Sequence, residues 1–101
     1  MATSFGLVVP NIKGVEERSI LDIARELHRL KQLAQAGQLA SGDLKGGTIT
    51  LSNVGSVGGT YSTPIVNLKE VAICAMGRLR HVPSFAPDGV SIHVRSLFDL
   101  R

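Results

Sequence analysis

The sequence predicts an α/β fold in which a mixed β-sheet is covered by one main amphipathic helix. Three observations predict this class. Residues 5–10 form a short apolar run typical of a strand, and residues 20–34 repeat apolar side chains at helical spacing. Further strand-like segments lie at 48–53, at 71–76 and from residue 90 onwards. A helix set among several strands in this way indicates a sheet with a helix packed on one face.

The first predicted element is a strand from Phe5 to Pro10. The segment is apolar, contains two adjacent valines and is closed by a proline. A short apolar run without polar alternation is typical of a strand that is buried on both faces. We therefore expect a buried strand here, followed by a polar connection over residues 11–17.

The second predicted element is a helix that begins after Ser19 and ends at Gly37. Ser19 and Asp22 have the spacing of a capping box, with Asp in the place of the usual Glu or Gln. Gly37 is expected to end the helix, because glycine most readily adopts the left-handed conformation that follows a last turn. The apolar stripe consists of Ile20, Ile23, Ala24, Leu27, Leu30 and Ala34, opposite Arg25, His28, Arg29 and Gln32.

The remaining predicted elements are strands separated by glycine-rich and turn-rich loops. Alternation along residues 48–53 places Thr48, Thr50 and Ser52 on one face and Ile49, Leu51 and Asn53 on the other. A glycine-rich loop follows at 54–60, then an apolar strand at 71–76. Residues 83–89 are rich in turn formers, and a last strand is expected from Val90.

Composition excludes several classes of protein. With 44% hydrophobic residues and no Trp, a chain of 101 residues is expected to form one domain with an aliphatic core. The net charge of +3 comes from scattered basic residues without interleaved aromatic side chains, which disfavours nucleic-acid binding. No apolar run reaches the roughly 18 residues of a membrane span. Cys74 is the single cysteine, so we expect a reducing intracellular compartment and no disulfide framework.

The glycine-rich loop does not fit the common phosphate-binding or nucleophile motifs. A P-loop needs Lys followed by Ser or Thr after its last glycine, whereas Thr60 and Tyr61 follow here. A dinucleotide-binding fingerprint opens a helix, whereas this loop continues into Thr, Ser and Pro. A nucleophile elbow at Ser56 needs a glycine two residues earlier, where Val54 stands.

Ser52 is the remaining candidate for chemistry, because it ends a strand beside a loop rich in glycine. A hydroxyl held there is able to donate to an oxyanion, and such stabilisation usually contributes most to acyl-transfer catalysis. The alternative is a structural serine that is satisfied by a neighbouring backbone group. Glycines allow close approach of a ligand, so the predicted substrate contacts are Asn53, Gly55, Gly58 and Gly59.

Other polar residues are weaker candidates. His28 lies on the polar side of the predicted helix, and Cys74 lies in an apolar strand where an inert thiol is expected. His81 and His93 have no partner at metal-ligand spacing, so no metal is expected. The loop carboxylates have no evident pairing: Asp43, Glu70 and Asp88. No residue is an obvious general base for Ser52.

Residues 46–55, Gly-Gly-Thr-Ile-Thr-Leu-Ser-Asn-Val-Gly, resemble a known family. The segment is similar to the catalytic core of the dihydrolipoamide acyltransferases, the inner-core subunits of 2-oxo acid dehydrogenase complexes. The resemblance covers roughly residues 3–89 and leaves 90–101 as a divergent end. It is also carried by Ser4–Asn11, Ser19–Leu27, Thr63–Val66, and Glu70–Ile73 with Gly77. The helix and the loop at 56–61 are most similar to the branched-chain members.

The resemblance implies a partial CoA-dependent acyltransferase fold with coenzyme A and a lipoyl group as substrates and no metal. Ser52 matches the family's oxyanion-stabilising hydroxyl. The family's general base is a His in a His-x-x-x-Asp-Gly motif, which is absent from these 101 residues. Leu100 falls where that His would lie if a gap is placed after Gly89. Residues 1–101 are therefore expected to be one incomplete, C-terminally truncated domain that is inactive alone and exposes apolar sheet surface.

The resemblance also implies partners and a location. Family members form trimers with each active site between subunits, so a neighbouring subunit would supply the missing His. The expected partners are a lipoyl domain, acyl-CoA and further copies of the chain, without nucleic acid or membrane. The expected compartment is the mitochondrial matrix in a eukaryote and the cytoplasm otherwise, with no targeting segment in the chain. Two other functions stay open: a non-catalytic assembly or regulatory module, and a small basic binding domain.

Overall fold

The computed structural model describes residues 1–58 and 63–101, and its longest element is a helix of 17 residues. These residues form two compact units, 1–47 and 48–101. The predicted α/β class is confirmed, with one main helix and with both parallel and antiparallel strand pairs. The elements in chain order are β1 (Ala2–Thr3), β2 (Gly6–Leu7), a 3₁₀ turn (Val15–Glu17), α1 (Ile20–Ala36), α2 (Ser41–Leu44), β3 (Ile49–Asn53), β4 (Ala72–Met76), β5 (Arg80–Phe85) and β6 (Ile92–Leu97).

The predicted buried strand at residues 5–10 is wrong. The chain instead makes a tight antiparallel hairpin in which Ala2 pairs with Leu7 and Thr3 with Gly6. Phe5 is 75% exposed and Leu7 is 78% exposed. Gly6 has a φ of 114°, a conformation that L side chains rarely adopt, and the Thr3 hydroxyl donates to its carbonyl oxygen at 2.7 Å. The turn at residues 4–5 thus lies at the start of the apolar run, and the strand that follows it ends at Leu7.

Helix α1 begins and ends where the sequence predicts. The Ser19 hydroxyl accepts from the backbone N–H of Asp22 at 3.2 Å and donates to the Asp22 carboxylate at 2.5 Å. Gly37 has a φ of 68°, and its N–H donates to the carbonyl oxygen of Ala34. These local contacts satisfy backbone groups that a helix leaves unpaired at each end. The buried residues of the helix, Leu30 and Ala34, belong to the predicted apolar stripe.

The N-terminal cap of α1 gives the helix a predictable pH dependence. The hydrogen bond from Ser19 holds the pKa of Asp22 below its ordinary value of 3.8. A depressed carboxyl pKa contributes stability above the unfolded value, and that stability is lost as the pH falls below 3.8 towards the folded pKa. We expect Asp22→Asn to lose less thermal stability than the unmodified chain over this acid range, measured by the helical circular dichroism signal. Glu16→Gln is the matched control, and a loss in Asp22→Asn as steep as in that control would contradict the prediction.

Arg29 joins the two helices of the first unit. Its guanidinium donates to Glu26 at 2.7 and 2.9 Å and to Asp43 on α2 at 2.9 Å. The hydrogen bond from Arg29 is the main cause that lowers the pKa of Asp43, and the Ala40 N–H contributes. The prediction that Asp43 is unpaired is therefore wrong, because its partner lies 14 residues earlier in the chain.

The second unit contains a parallel strand pair that is extended by antiparallel pairing. Residues 49–53 of β3 pair in parallel with residues 72–76 of β4, and Ser52 is in register with Ala75. On β4, Met76 forms an antiparallel bridge with Leu100. Two hydrogen bonds between the backbones of Ala75 and Arg101 support that bridge, at 2.7 and 3.0 Å. The mixed pairing predicted from the sequence is confirmed around β4.

Strands β5 and β6 form an antiparallel hairpin that the sequence predicted only in part. The last strand was expected, but residues 83–85 of β5 were predicted to be turn. Pro83 pairs in register with Val94. Proline is tolerated in a two-stranded ladder because a strand with an outer edge does not need every N–H as a donor. The turn follows at Asp88, whose carboxylate accepts from the backbone N–H groups of Val90 and Ser91 at 3.0 and 2.9 Å.

Burial is limited and is aliphatic, as the sequence predicts. The buried apolar residues among those described are Leu30, Ala34 and Ala75. Sheet residues expose apolar side chains, which agrees with the expected exposed sheet surface: Ile49, Leu51, Phe85, Ile92 and Val94. None of the helices in the described part of the chain has the length and apolar character needed to cross a membrane.

Candidate functional site

Ser52 lies at the next-to-last position of β3 and is half-buried. It shares a face of the sheet with Thr50, as the alternation predicts, and Ala75 lies beside it on β4. Among residues 1–58 and 63–101, no side-chain or backbone group forms a hydrogen bond with its hydroxyl. The structural alternative, a serine satisfied by a neighbouring backbone group, is therefore not found in that part of the chain.

The position of Ser52 in the sheet is one at which ligands commonly bind. Strands β3 and β4 are parallel and end together, at Asn53 and Met76. Ligands of α/β proteins bind outside the carboxyl ends of parallel strands, where connecting loops leave a crevice. The Val54 N–H donates to the carbonyl oxygen of Met76 at 3.0 Å and fixes the loop where it leaves the sheet.

Asn53 and Gly55 shape the start of the glycine-rich loop. The Asn53 side-chain oxygen accepts from the backbone N–H of Gly55 at 3.0 Å, which is a local turn of the kind asparagine favours. A Cβ atom at Gly55 would lie 3.1 Å from the carbonyl oxygen of Gly77 and 3.4 Å from the Cα of Arg78. A side chain here would require these backbone atoms to shift by a few tenths of an ångström, so glycine fits this approach best.

Of the other two predicted loop contacts, the structure describes Gly58 but not Gly59. Gly58 has a φ of 93°, and its N–H donates to the carbonyl oxygen of Val54 at 3.1 Å. No atom of residues 1–58 or 63–101 lies within 4 Å of a Cβ atom placed at Gly58. Gly59 lies outside the described residues.

A polar cluster on the Ser52 face of β3 was missed by the sequence analysis. The Thr50 hydroxyl donates to the Glu70 carboxylate and accepts from the Asn67 side-chain amide at 3.2 Å. The prediction that Glu70 is an unpaired loop carboxylate is therefore wrong. The alternation of Thr50 with Ser52 was the available signal that both hydroxyls lie on one face.

The remaining candidates lie apart from Ser52 in the hydrogen-bonding pattern. His81 Nδ1 lies 3.2 Å from the Ser96 hydroxyl across the β5–β6 hairpin. His93 Nε2 accepts from Arg95 at 2.9 Å. Asp88, predicted to be unpaired, accepts from the Ser91 hydroxyl at 2.6 Å, which is the main cause of its lowered pKa. In the described ranges, no group of three His, Cys, Asp or Glu side chains is arranged to hold a metal ion.

Leu100, which falls where the family's His would lie only if a gap is placed after Gly89, is part of an antiparallel bridge to β4. It lies opposite Met76, which is in register with Asn53 on β3. The pairing continues from Asp99, whose carbonyl oxygen accepts from the Gly77 N–H at 2.8 Å. The Leu100 side chain is aliphatic and has no group that takes up a proton.

Comparison with known proteins places this geometry in a family. The family model described as "2-oxoacid dehydrogenases acyltransferase (catalytic domain)" matches residues 1–100. The chain belongs to this acyltransferase family. The match continues through residues 90–100, beyond the stretch that carries the resemblance visible in the sequence.

Relatives of this chain include components of branched-chain alpha-keto acid and pyruvate dehydrogenase complexes. The lipoamide acyltransferase component of the branched-chain alpha-keto acid dehydrogenase complex of Arabidopsis thaliana, a mitochondrial protein, is 54% identical over 89 residues, which are 88% of this chain and 18% of that protein. The Bos taurus counterpart has the same identity and the same coverage. The acetyltransferase component of the pyruvate dehydrogenase complex of Staphylococcus epidermidis is 43% identical over 81 residues, 80% of this chain and 19% of that protein.

Solved acyltransferase structures share the fold. Azotobacter vinelandii dihydrolipoamide acetyltransferase, in which the catalytic roles of a serine, a histidine and an asparagine have been investigated, is 34% identical with a TM-score of 0.85. The cubic core of a pyruvate dehydrogenase multienzyme complex is 35% identical with a TM-score of 0.86. These matches cover 98% and 99% of this chain and 40% of each solved chain. The predicted partial acyltransferase fold is confirmed, and the chain spans about a fifth of the length of its curated relatives.

Proposed function

We propose that residues 1–101 supply the oxyanion side of an active site that moves a branched acyl group between dihydrolipoamide and coenzyme A. The observation that carries this proposal is the half-buried Ser52 hydroxyl, which has no hydrogen-bond partner among the described residues. It lies at the carboxyl end of a parallel strand pair, in a chain that belongs to an acyltransferase family. The high identity to branched-chain relatives supports the choice of acyl group.

The reaction is a thiol–thioester exchange. A thiol sulfur of one substrate attacks the thioester carbonyl carbon of the other, and a His base takes the thiol proton. The carbonyl oxygen becomes an oxyanion, to which the Ser52 hydroxyl donates. Collapse of the intermediate breaks the original carbon–sulfur bond, and the departing sulfur receives the proton from the His. The lipoyl group, carried by a lipoyl domain, and coenzyme A are therefore both substrates, and no step requires a metal.

The base of the site lies outside these 101 residues. No His-x-x-x-Asp-Gly sequence occurs among them, and Leu100, where a gap after Gly89 would place the His, is aliphatic. We propose that residues 1–101 are part of one acyltransferase core domain and that a neighbouring subunit of a trimer-based assembly supplies the His. The Azotobacter vinelandii enzyme, in whose mechanism a serine and a histidine have been investigated, supports a site that combines these two residue types. The mitochondrial branched-chain relatives support a matrix location.

The loop after Ser52 is proposed to hold the thioester of the substrate near the Ser52 hydroxyl. The side-chain oxygen of Asn53 is already engaged by Gly55, so the Asn53 amide group is the part that is offered to a substrate carbonyl. Gly55, Gly58 and Gly59 add no side chains, which allows a thioester to approach the carboxyl end of β3 closely.

Complementation with a longer relative tests the proposal. The partner is the Bos taurus branched-chain relative, with the serine that matches Ser52 replaced by Ala, so that it retains its own base. We expect each protein alone to give near-background acyl transfer from isobutyryl-CoA to dihydrolipoamide, and the mixture to restore turnover. A base typically contributes about 10²–10⁴-fold, so its absence from the isolated chain is measurable.

Two results would contradict the proposal. One is a mixed assembly, detected by size, whose turnover does not exceed that of the Ala-substituted relative alone. The other is turnover by the isolated chain close to that of the unmodified relative. A mixed assembly without turnover would instead support a non-catalytic assembly module, which the exposed apolar side chains of Ile49 and Leu51 favour as the second candidate.

A further inference from the structure

We propose that Thr50, Asn67 and Glu70, here called the Thr50 clasp, form a positioning device for Ser52. The clasp holds the segment that returns from the glycine-rich loop against the face of β3 that carries Ser52. This inference rests on the proposed function of Ser52 and assigns no contact between the clasp and a substrate.

Two side chains from one segment converge on a single hydroxyl. The Thr50 hydroxyl donates a hydrogen bond to the Glu70 carboxylate, and it accepts a hydrogen bond from the Asn67 amide at 3.2 Å. Thr50 and Glu70 are both half-buried. A hydrogen bond to an ionised carboxylate is stronger than one between neutral groups, and partial burial shields it from water.

The backbone of the same segment is also tied to β3. The Glu70 N–H donates to the carbonyl oxygen of Asn67 at 2.9 Å, which forms a tight turn within the clasp. The Val71 N–H donates to the carbonyl oxygen of Thr48 at 2.8 Å and starts the pairing of β4 with β3. The segment is therefore fixed by its backbone at Thr48 and by its side chains at Thr50.

Ser52 lies between the two places at which the connection is anchored to the sheet. Parallel strands require a crossover, and the crossover from β3 leaves the sheet at Val54, where its N–H binds the Met76 carbonyl oxygen. It returns at the clasp on Thr50. Thr50 and Ser52 are two residues apart on one face, which is about 6.6 Å along a strand. The distance between the returning segment and the Ser52 hydroxyl is thus set by the Thr50 clasp.

The clasp also divides the work of two neighbouring hydroxyls. A threonine hydroxyl can donate one hydrogen bond, and Thr50 donates it to the Glu70 carboxylate. Ser52, on the same face, has no such partner in residues 1–58 or 63–101. The Ser52 hydroxyl is therefore the one that donates to the oxyanion. The Thr50 hydroxyl instead holds the segment with Asn67 and Glu70 beside it.

Thr50→Val tests the clasp, because valine has the shape of threonine without its hydroxyl. In the mixed assembly with the Bos taurus relative that carries Ala in place of the serine matching Ser52, we expect kcat to fall on the order of 10-fold to 10²-fold. This is the range that a misplaced catalytic group produces. The KM for acyl-CoA is expected to change less than kcat, since the clasp does not contact the substrate. Thr50→Ser restores the hydroxyl and is expected to restore most of the turnover. Thr48→Val is the matched control.

Amide hydrogen exchange on the chain alone gives a readout that does not depend on activity. We expect Thr50→Val to speed exchange at Glu70 and Val71 relative to Thr48→Val, while the Ala75 amide, bonded to Arg101, keeps its rate. Equal exchange in the two variants, or equal kcat in the mixed assembly, would overturn the inference. Failure of the proposed function is a different result: in the mixed assembly, the Ser52→Ala chain would then turn over as fast as the unmodified chain.

Discussion

We expect Ser52→Ala to lower kcat of the mixed assembly by about 10²–10³-fold, the loss found when a single oxyanion donor is removed. The hydroxyl donates to charge that develops only in the tetrahedral intermediate, so the KM for acyl-CoA changes little. The effect is large because Ser52 is half-buried and has no hydrogen-bond partner among the described residues that would otherwise engage its proton. Steady-state acyl transfer with isobutyryl-CoA and dihydrolipoamide measures both constants.

Two variants separate the loss of the hydroxyl from a general disturbance of the strand. Ser52→Thr keeps a hydroxyl at the same position and is expected to retain more turnover than Ser52→Ala. Ser56→Ala removes an exposed serine from the loop that follows β3, and it is expected to turn over like the unmodified chain. Equal turnover by Ser52→Ala and Ser56→Ala would show that Ser52 is not the oxyanion donor.

Helix α1 was predictable because its signals are local. The Ser19–Asp22 cap and the Gly37 end act within one turn, and the structure shows both. The predicted apolar stripe is buried only at Leu30 and Ala34, whereas Ile20 is 86% exposed and Leu27 is 49% exposed. The strand at residues 5–10 was mispredicted because the conformation of Gly6 was not visible in an apolar run. Part of β5 was missed because Pro83, which favours turns, stands on a hairpin strand with a free edge.

The position of the candidate residue Ser52 in the fold was also predictable from local signals. Strand alternation and the adjacent glycines locate Ser52 at the end of a strand, and its place at the carboxyl end of a parallel pair agrees with that expectation. The Thr50 clasp was not predictable, because Asn67 and Glu70 are 17 and 20 residues away from Thr50 in the chain. Isolated polar residues in a loop give no local sign of a partner at that separation.

The limited burial of the chain makes Leu30 the residue whose loss has the largest expected effect on stability. Leu30 is 1% exposed, and it is the largest fully buried side chain in the described residues. Leu30→Ala is expected to lower the free energy of unfolding by about 2–5 kcal/mol, since it removes apolar contacts and leaves a cavity. Native domains have about 5–15 kcal/mol of stability in total, so a loss of this size removes a substantial part of it.

Leu21→Ala is the matched control, because Leu21 lies on the same helix and is 67% exposed. Urea unfolding followed by the helical circular dichroism signal measures both variants. We expect the midpoint of Leu30→Ala to fall strongly and that of Leu21→Ala to stay near the unmodified value, since exposed substitutions usually change stability by about 0.5 kcal/mol or less. Equal midpoints would mean that Leu30 is not held in a packed interior. In that case α1 would depend mainly on its caps at Ser19 and Gly37.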